Sequence, residues 1–236
     1  MRTEPERIVV ESHQSLPHAA ASWIADAIAE AIRQSGTCSL ALSGGRTPRA
    51  VYGELAAAFR DAPWNKVHIY FGDERAVPPN NADSNYRMAR ESLLDPVHVP
   101  AGNVHRMEGE RADLDGAARD YERLLPPALD ILLLGIGPDG HTASLFPGEP
   151  ALDERTRRVM PADSPFPPPR RLTITPLVIA AARRVAVIVD GADKADIVAR
   201  ALEGPRDPHA LPVQLALGGV WFLDRGAASK LARVPA

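Results

Sequence analysis

The chain has 236 residues, 45% hydrophobic and 24% charged, with a net charge of −3. That suits one large α/β domain or two small ones with a full core, and it argues against a nucleic-acid binder that works by bulk electrostatics. A single cysteine, Cys38, excludes an internal disulfide, and no apolar run nears the roughly 20 residues that cross a bilayer. Cys38 lies in the apolar run CSLALS and reads as a small buried hydrophobe. The opening MRTEPERIVVE is charged and lacks the apolar core of a signal peptide. The expected setting is therefore reducing, soluble and cytoplasmic, with no membrane and no nucleic acid as partner.

The first element is a helix. Ala20, Ile24, Ala27, Ile28, Ala31 and Ile32 form its apolar stripe, between a start signal at Ser15 to Pro17 and a stop at Gly36. CSLALS (38–43) follows as a strand. TPRAVYGELAAAF predicts a helix with Thr47 as N-cap and Pro48 in the first turn. KVHIYFG (66–72) is the next strand. DLDGAARDYERLL places Leu114, Ala117, Ala118, Tyr121, Leu124 and Leu125 on one helical face. DILLLGIG (130–137) is a strand. The proline-rich PADSPFPPPRR (161–171) reads as a rigid surface loop, because the strand-like RLTIT resumes at once. TPLVIAAAR repeats the Thr-Pro helix start at Thr175 and Pro176. RVAVIVDG (184–191) is a strand, ADKADIVARALEG a helix ending at Gly204, and VWFLD (220–224) a last strand. The strands are continuously apolar, as strands covered on both faces are. Their alternation with helices predicts a mainly parallel sheet with helices on both sides, in a single domain over 1–236.

Three strand ends carry polar residues, and ligands of open α/β sheets gather there. In ALSGGRTP a strand ends at Ser43, and Gly44 and Gly45 lead into a helix. Such a turn is either a plain tight connection or a cradle of free N–H groups for an anion. Arg46 lies beside it, and no G-K-[ST] follows, so it is not a Walker A loop. In YFGDER, Asp73, Glu74 and Arg75 close a strand. Arg75 suits a phosphate or carboxylate, and the two acids suit sugar hydroxyls or hold Arg75 in place. Ser84, Asn85 and Arg87 stand at the next helix start, and Arg170, Arg171 and Thr173 adjoin another strand.

GIGPDGHTASLFP contains G-x-G-x-x-G as Gly135, Gly137 and Gly140, with His141 directly after. A dinucleotide fingerprint needs a long helix there, but Pro147 and Gly148 permit only a short one. The loop instead exposes His141, with Asp139 near. A helix start beside His141 would favour a neutral imidazole, which a general base requires. The alternative is a structural histidine that caps the loop. His68 alternates within its strand and reads as a packed core residue, while His13, His18, His98, His105 and His209 lie in polar or turn-like surroundings. No metal-ligand spacing and no G-x-S-x-G nucleophile occur, so a metal site is unsupported.

Taken together, LALSGGRTP, FGDERAVPPNNADSNYRMARE, DILLLGIGPDGHTASLFPG, RRLTITPLVIAAARRVAVIVDGADKADIV and LPVQLALGGVWFLDRGAAS resemble the 6-phosphogluconolactonase family, in order and over nearly the whole chain. The related glucosamine-6-phosphate deaminases share G-x-D-G-H but usually carry DEY and IAFNEP where this chain has DER and TASLFP. The resemblance implies a Rossmann-like three-layer α/β/α sandwich without a dinucleotide. It also implies hydrolysis of 6-phospho-D-glucono-1,5-lactone in the oxidative pentose phosphate pathway, with no metal or organic cofactor; the chain is expected to act on this small phosphorylated lactone as a monomer or homodimer. On this resemblance His141 is the general base and Asp139 orients it. Ser43, Gly44 and Gly45 face substrate, and amides of Gly44, Gly45 or Gly140 stabilise the oxyanion. Arg75 is the leading phosphate clamp with Arg171 second, beside Asp73 and Glu74. Arg46 departs from the serine common in the wider superfamily.

Overall fold

The computed structural model describes residues 6–10, 12 and 14–232. The first five residues and His13, on which parts of the leader and histidine readings rest, lie outside the described residues. In chain order the elements are β1 (Glu6–Val10), α1 (Leu16–Ser35), β2 (Cys38–Leu42), α2 (Arg46–Ala58), β3 (Val67–Phe71), β4 (Asp73–Arg75), α3 (Asn85–Ala89), α4 (Asp95–Val97), α5 (Leu114–Leu124), β5 (Ile131–Leu134), β6 (Val159–Asp163), β7 (Arg170–Ile174), α6 (Pro176–Ala181), β8 (Arg184–Val189), α7 (Ala195–Glu203), β9 (Val220–Asp224) and α8 (Arg225–Ala228).

Six strands form one parallel sheet in the order β1-β9-β8-β5-β2-β3. Successive side chains of a strand point to opposite faces. Leu40, Leu42, Ile69, Phe71, Ile131, Leu133, Ile188 and Phe222 therefore pack on one side with Ile24 and Ile28 of α1 and Val51 and Leu55 of α2. Ala41, Tyr70, Leu132, Leu134, Val187, Val189, Trp221 and Leu223 pack on the other with Tyr121 of α5, Val178 of α6, Val198 of α7 and Ala227 of α8. Two cores on one sheet make an α/β/α sandwich and explain why the strands read as unbroken apolar runs.

Several local expectations change. Gly36 ends α1 in the left-handed region at φ 83°, with its N–H on Ile32 O, as its position suggests. Thr47 does not cap α2. The helix starts at Arg46 behind Gly45, and the Thr47 hydroxyl donates to Asp190 instead. Asp73 to Arg75 is not the tail of β3. Gly72 breaks the strand, and β4 joins a second, antiparallel sheet in the order β4-β7-β6. The proline-rich stretch gives its ends to β6 and β7, so only residues 164–169 between them are loop. His68 is only partly buried, and its Nδ1 lies 3.2 Å from His105 Nε2. Cys38 is buried as expected, and burial pushes its thiol up to about 12. No helix among the described residues is long and apolar enough to cross a membrane.

Candidate active site

β2 and β5 are neighbours, yet β2 leads through α2 to β3 on one side and β5 leads on to β8 on the other. The chain reverses direction between them, which opens a crevice beyond their carboxyl ends. A cavity of about 280 Å³ occupies that place. Ser43 to Pro48 line it after β2, Gly135 to Pro138 and His141 to Ala143 after β5, and Asp190, Asp193 and Lys194 after β8. The small sheet adds Asp73, Arg75 and Arg171 as a further wall.

The His141 loop is held by its own backbone. Gly137 N donates to His141 O at 2.8 Å, Gly140 N to Gly137 O at 3.1 Å, and Thr142 Oγ1 to Gly135 O at 2.9 Å. No helix follows the glycines. The chain turns at Thr142 to Leu145, with Ala143 at φ 48°, so the expected helix terminus beside His141 is not formed. The charge that acts on the imidazole is a carboxylate: His141 Nδ1 lies 2.5 Å from Asp139 Oδ1, which also accepts the His141 amide at 3.1 Å. Burial raises the Asp139 carboxyl, but the hydrogen bond and charge of His141 outweigh it and hold it below the usual carboxylate range. Because a carboxylate only accepts, Nδ1 carries the proton and the lone pair of the neutral ring sits on Nε2. Phe146 flanks the imidazole with ring centroids 4.6 Å apart, and Phe166 stands at 5.8 Å.

The glycine turn after β2 is braced from below. Ser43 N donates to Tyr52 Oη, which donates back to Ser43 O, both at 2.8 Å. Among the described residues the amides of Gly44 and Gly45 have no protein acceptor, and they precede α2 at its positive end.

On the other wall Arg75 and Arg171 are cross-strand partners. Arg75 Nη1 donates to Asp83 O at 2.6 Å, and its buried Nε has no partner. Arg171 Nε donates to Pro168 O at 2.8 Å. Burial, and then the Arg75 charge, lower the guanidinium's pKa below its ordinary value.

Asp139 stands behind His141 rather than on the cavity wall, and two of the expected substrate-binding residues lie elsewhere. Glu74 does not line the cavity. Its carboxylate accepts from the amides of Arg75, Asn85 and Tyr86 and from Ser84 Oγ, so it caps α3. Burial raises its pKa despite those bonds. Gly140 is also off the cavity. Its N–H is spent on Gly137 O, its carbonyl accepts from Val213 N, and a Cβ there would stand 2.6 Å from a Leu211 methyl. The sequence reading also missed Lys194. Its Nζ donates to Ile136 O at 3.1 Å at the cavity wall. ADKADIV reads as a helix start, and only the convergence of β8 with β2 and β5 marks it.

An open parallel sheet with a polar cavity at its switch point is the layout of an α/β protein that takes a small polar ligand. The profile of the family described as glucosamine-6-phosphate isomerases/6-phosphogluconolactonase matches residues 11–221. A 6-phosphogluconolactonase of Mycobacterium tuberculosis is 41% identical over 230 residues, covering 90% of this chain and 93% of its own. One of Synechocystis sp. is 37% identical over 240 residues, covering 96% and 98%. The solved 6-phosphogluconolactonase of Trypanosoma cruzi superimposes with a TM-score of 0.87 at 30% identity, over 99% of both chains. The chain belongs to this family of sugar-phosphate enzymes.

Proposed function

We propose that the chain is a 6-phosphogluconolactonase, a hydrolase that converts 6-phospho-D-glucono-1,5-lactone to 6-phospho-D-gluconate in the oxidative pentose phosphate pathway. The observation that carries this reading is one cavity with two unlike walls. On one, His141 has its Nδ1 fixed by Asp139; on the other, Arg75 and Arg171 face each other. A molecule with an electrophilic carbonyl at one end and a phosphate at the other meets both needs.

His141 Nε2 takes a proton from water as the water oxygen bonds to C1. The carbonyl electrons move to oxygen, where the free amides of the Gly44–Gly45 turn stabilise the charge; one such donor is worth roughly 10²–10³-fold in favourable cases. The carbonyl re-forms, the bond from C1 to the ring oxygen breaks, and Nε2 returns its proton to that oxygen as it leaves as a hydroxyl. The new carboxylic acid then ionises. Arg75 and Arg171 hold the phosphate, with Lys194 as a further cation at the rim.

The test is a pH-stat or coupled assay on freshly made lactone, corrected for spontaneous hydrolysis. Turnover is expected. His141→Ala is expected to lower kcat by about 10²–10⁴-fold, the usual worth of general acid–base help, while 6-phosphogluconate still binds. No turnover by the native chain, or an unimpaired H141A variant, would refute the proposal.

A further inference from the structure

Asp73 is 6% exposed and lines the cavity a short way along β4 from Arg75. A buried carboxylate usually takes a cation as partner. Asp73 does not spend its oxygens that way. Oδ2 accepts from Ser144 Oγ at 2.6 Å, and Oδ1 accepts from Asn85 Nδ2 at 3.0 Å. The same Asn85 amide also reaches Asp73 O at 2.9 Å.

Ser144 lies three residues after His141 and does not touch the cavity. Its backbone N–H donates to Thr173 Oγ1 at 3.1 Å, and Thr173 is the cross-strand partner of Asp73. Two facing residues of the small sheet thus grip one residue of the base-bearing loop, one by its hydroxyl and one by its amide. Ser144 and Thr173 are fully buried, so water does not compete. Between the grip and His141 lies Ala143 in the left-handed region, a conformation the surroundings must enforce.

We infer that Asp73 is a positioning residue, which with Thr173 clamps Ser144 and so fixes His141 at a set distance from the arginine wall carried by the same two strands. The small antiparallel sheet then has a purpose beyond presenting Arg75 and Arg171. It sets the spacing between the phosphate end and the base end. This rests on the assignment of His141 as the base.

The test compares kcat and KM for the phosphorylated lactone in S144A, S144T, D73N, the D73N/S144A pair and H141A, with thermal melts alongside. S144A leaves the cavity lining untouched. Its kcat is expected to fall on the order of 10²-fold, the cost of a displacement near 1 Å, with KM changed less than about 2-fold. S144T, which keeps the hydroxyl, recovers most of that loss. The double variant is no worse than D73N alone, because both changes break one contact. If D73N does not fold, T173V alone takes its place, since Thr173 holds the backbone N–H of the same residue, and its kcat is expected to fall as that of S144A does. H141A inactive with S144A unimpaired, or additive losses in the pair, overturns the clamp and leaves the base in place. H141A as active as the native chain overturns the base and the clamp together.

Discussion

Arg75 and Arg171 stand directly opposite one another across β4 and β7, and each gives a guanidinium hydrogen bond to a backbone carbonyl, Asp83 O and Pro168 O. Like charges opposed across a strand pair repel, and Arg171 titrates below its ordinary range through burial and the charge of Arg75. A bound dianion relieves that repulsion. Added 6-phosphogluconate is therefore expected to raise the Tm in a concentration-dependent way, and R75A or R171A to remove most of the rise. R75A should raise KM for the phosphorylated lactone by roughly 10–100-fold, the worth of a charge-assisted hydrogen bond. KM for unphosphorylated gluconolactone should barely move. Equal effects on the two lactones would take the phosphate away from this wall.

In the proposed reaction Asp139 fixes which ring nitrogen of His141 holds the lone pair, through its contact with Nδ1. In D139N the amide donates to Nδ1 or leaves it loose, and the lone pair on Nε2 is no longer enforced. The kcat loss should approach the general-base contribution itself, about 10²–10⁴-fold. Stability gives a second readout. The folded carboxyl titrates below its ordinary value, so its contribution is present above that ordinary value and is lost as pH falls through the depressed one. D139N should cost about 1 kcal/mol by urea unfolding near neutral pH, and the gap should close on acidification. A gap that persists unchanged in acid would mean that the carboxylate charge is not its source.

What was legible in the sequence follows from where the information lay. β2, β5 and β8 announce themselves because burial on both faces leaves an unbroken apolar run. β1 carries Glu6 and Arg7 at its start and gains its place only by pairing with β9, more than 200 residues away in sequence. β4 is three charged residues, a strand solely because β7 lies beside it. The same three residues held a usable signal. In an extended segment successive side chains point to opposite faces, so Asp73 and Arg75 share the cavity and Glu74 turns away to cap α3. The His141 loop was legible through its glycines, but not its shape. Leucine, phenylalanine and alanine after the histidine suit a helix, whereas the bonds of Ser144 to the small sheet draw the chain into a turn.

The approach of α3 to the glycine turn predicts a steric effect. A Cβ at Gly44 would lie 2.0 Å from Asn85 Oδ1, and Asn85 is buried and bonded to Asp73. G44A must therefore push Asn85 aside or shift the turn, at a cost of about 1–3 kcal/mol for an overpacked site. Shortening the obstructing side chain should relieve it. G44A/N85A is expected to be less destabilised than the sum of the single variants, in a double-mutant cycle read by urea unfolding. Strict additivity would show that the turn yields without touching Asn85.

Ala143 offers the last test, because it holds the left-handed region at φ 48° without being glycine. That conformation costs an L-residue roughly 1–2 kcal/mol. Glycine removes the strain but adds freedom to the unfolded chain, worth about 0.4–1 kcal/mol in the other direction. A143G should therefore melt at or slightly above the native temperature and keep its activity, since the bonds of Ser144 to Asp73 and Thr173 still fix the turn. Valine is branched at Cβ and tolerates the left-handed region poorly. A143V should lose about 1–3 kcal/mol and a large part of kcat together, because a backbone that leaves this conformation carries His141, two residues back, with it. A valine variant with native stability and native kcat would show that the turn is not what places the imidazole.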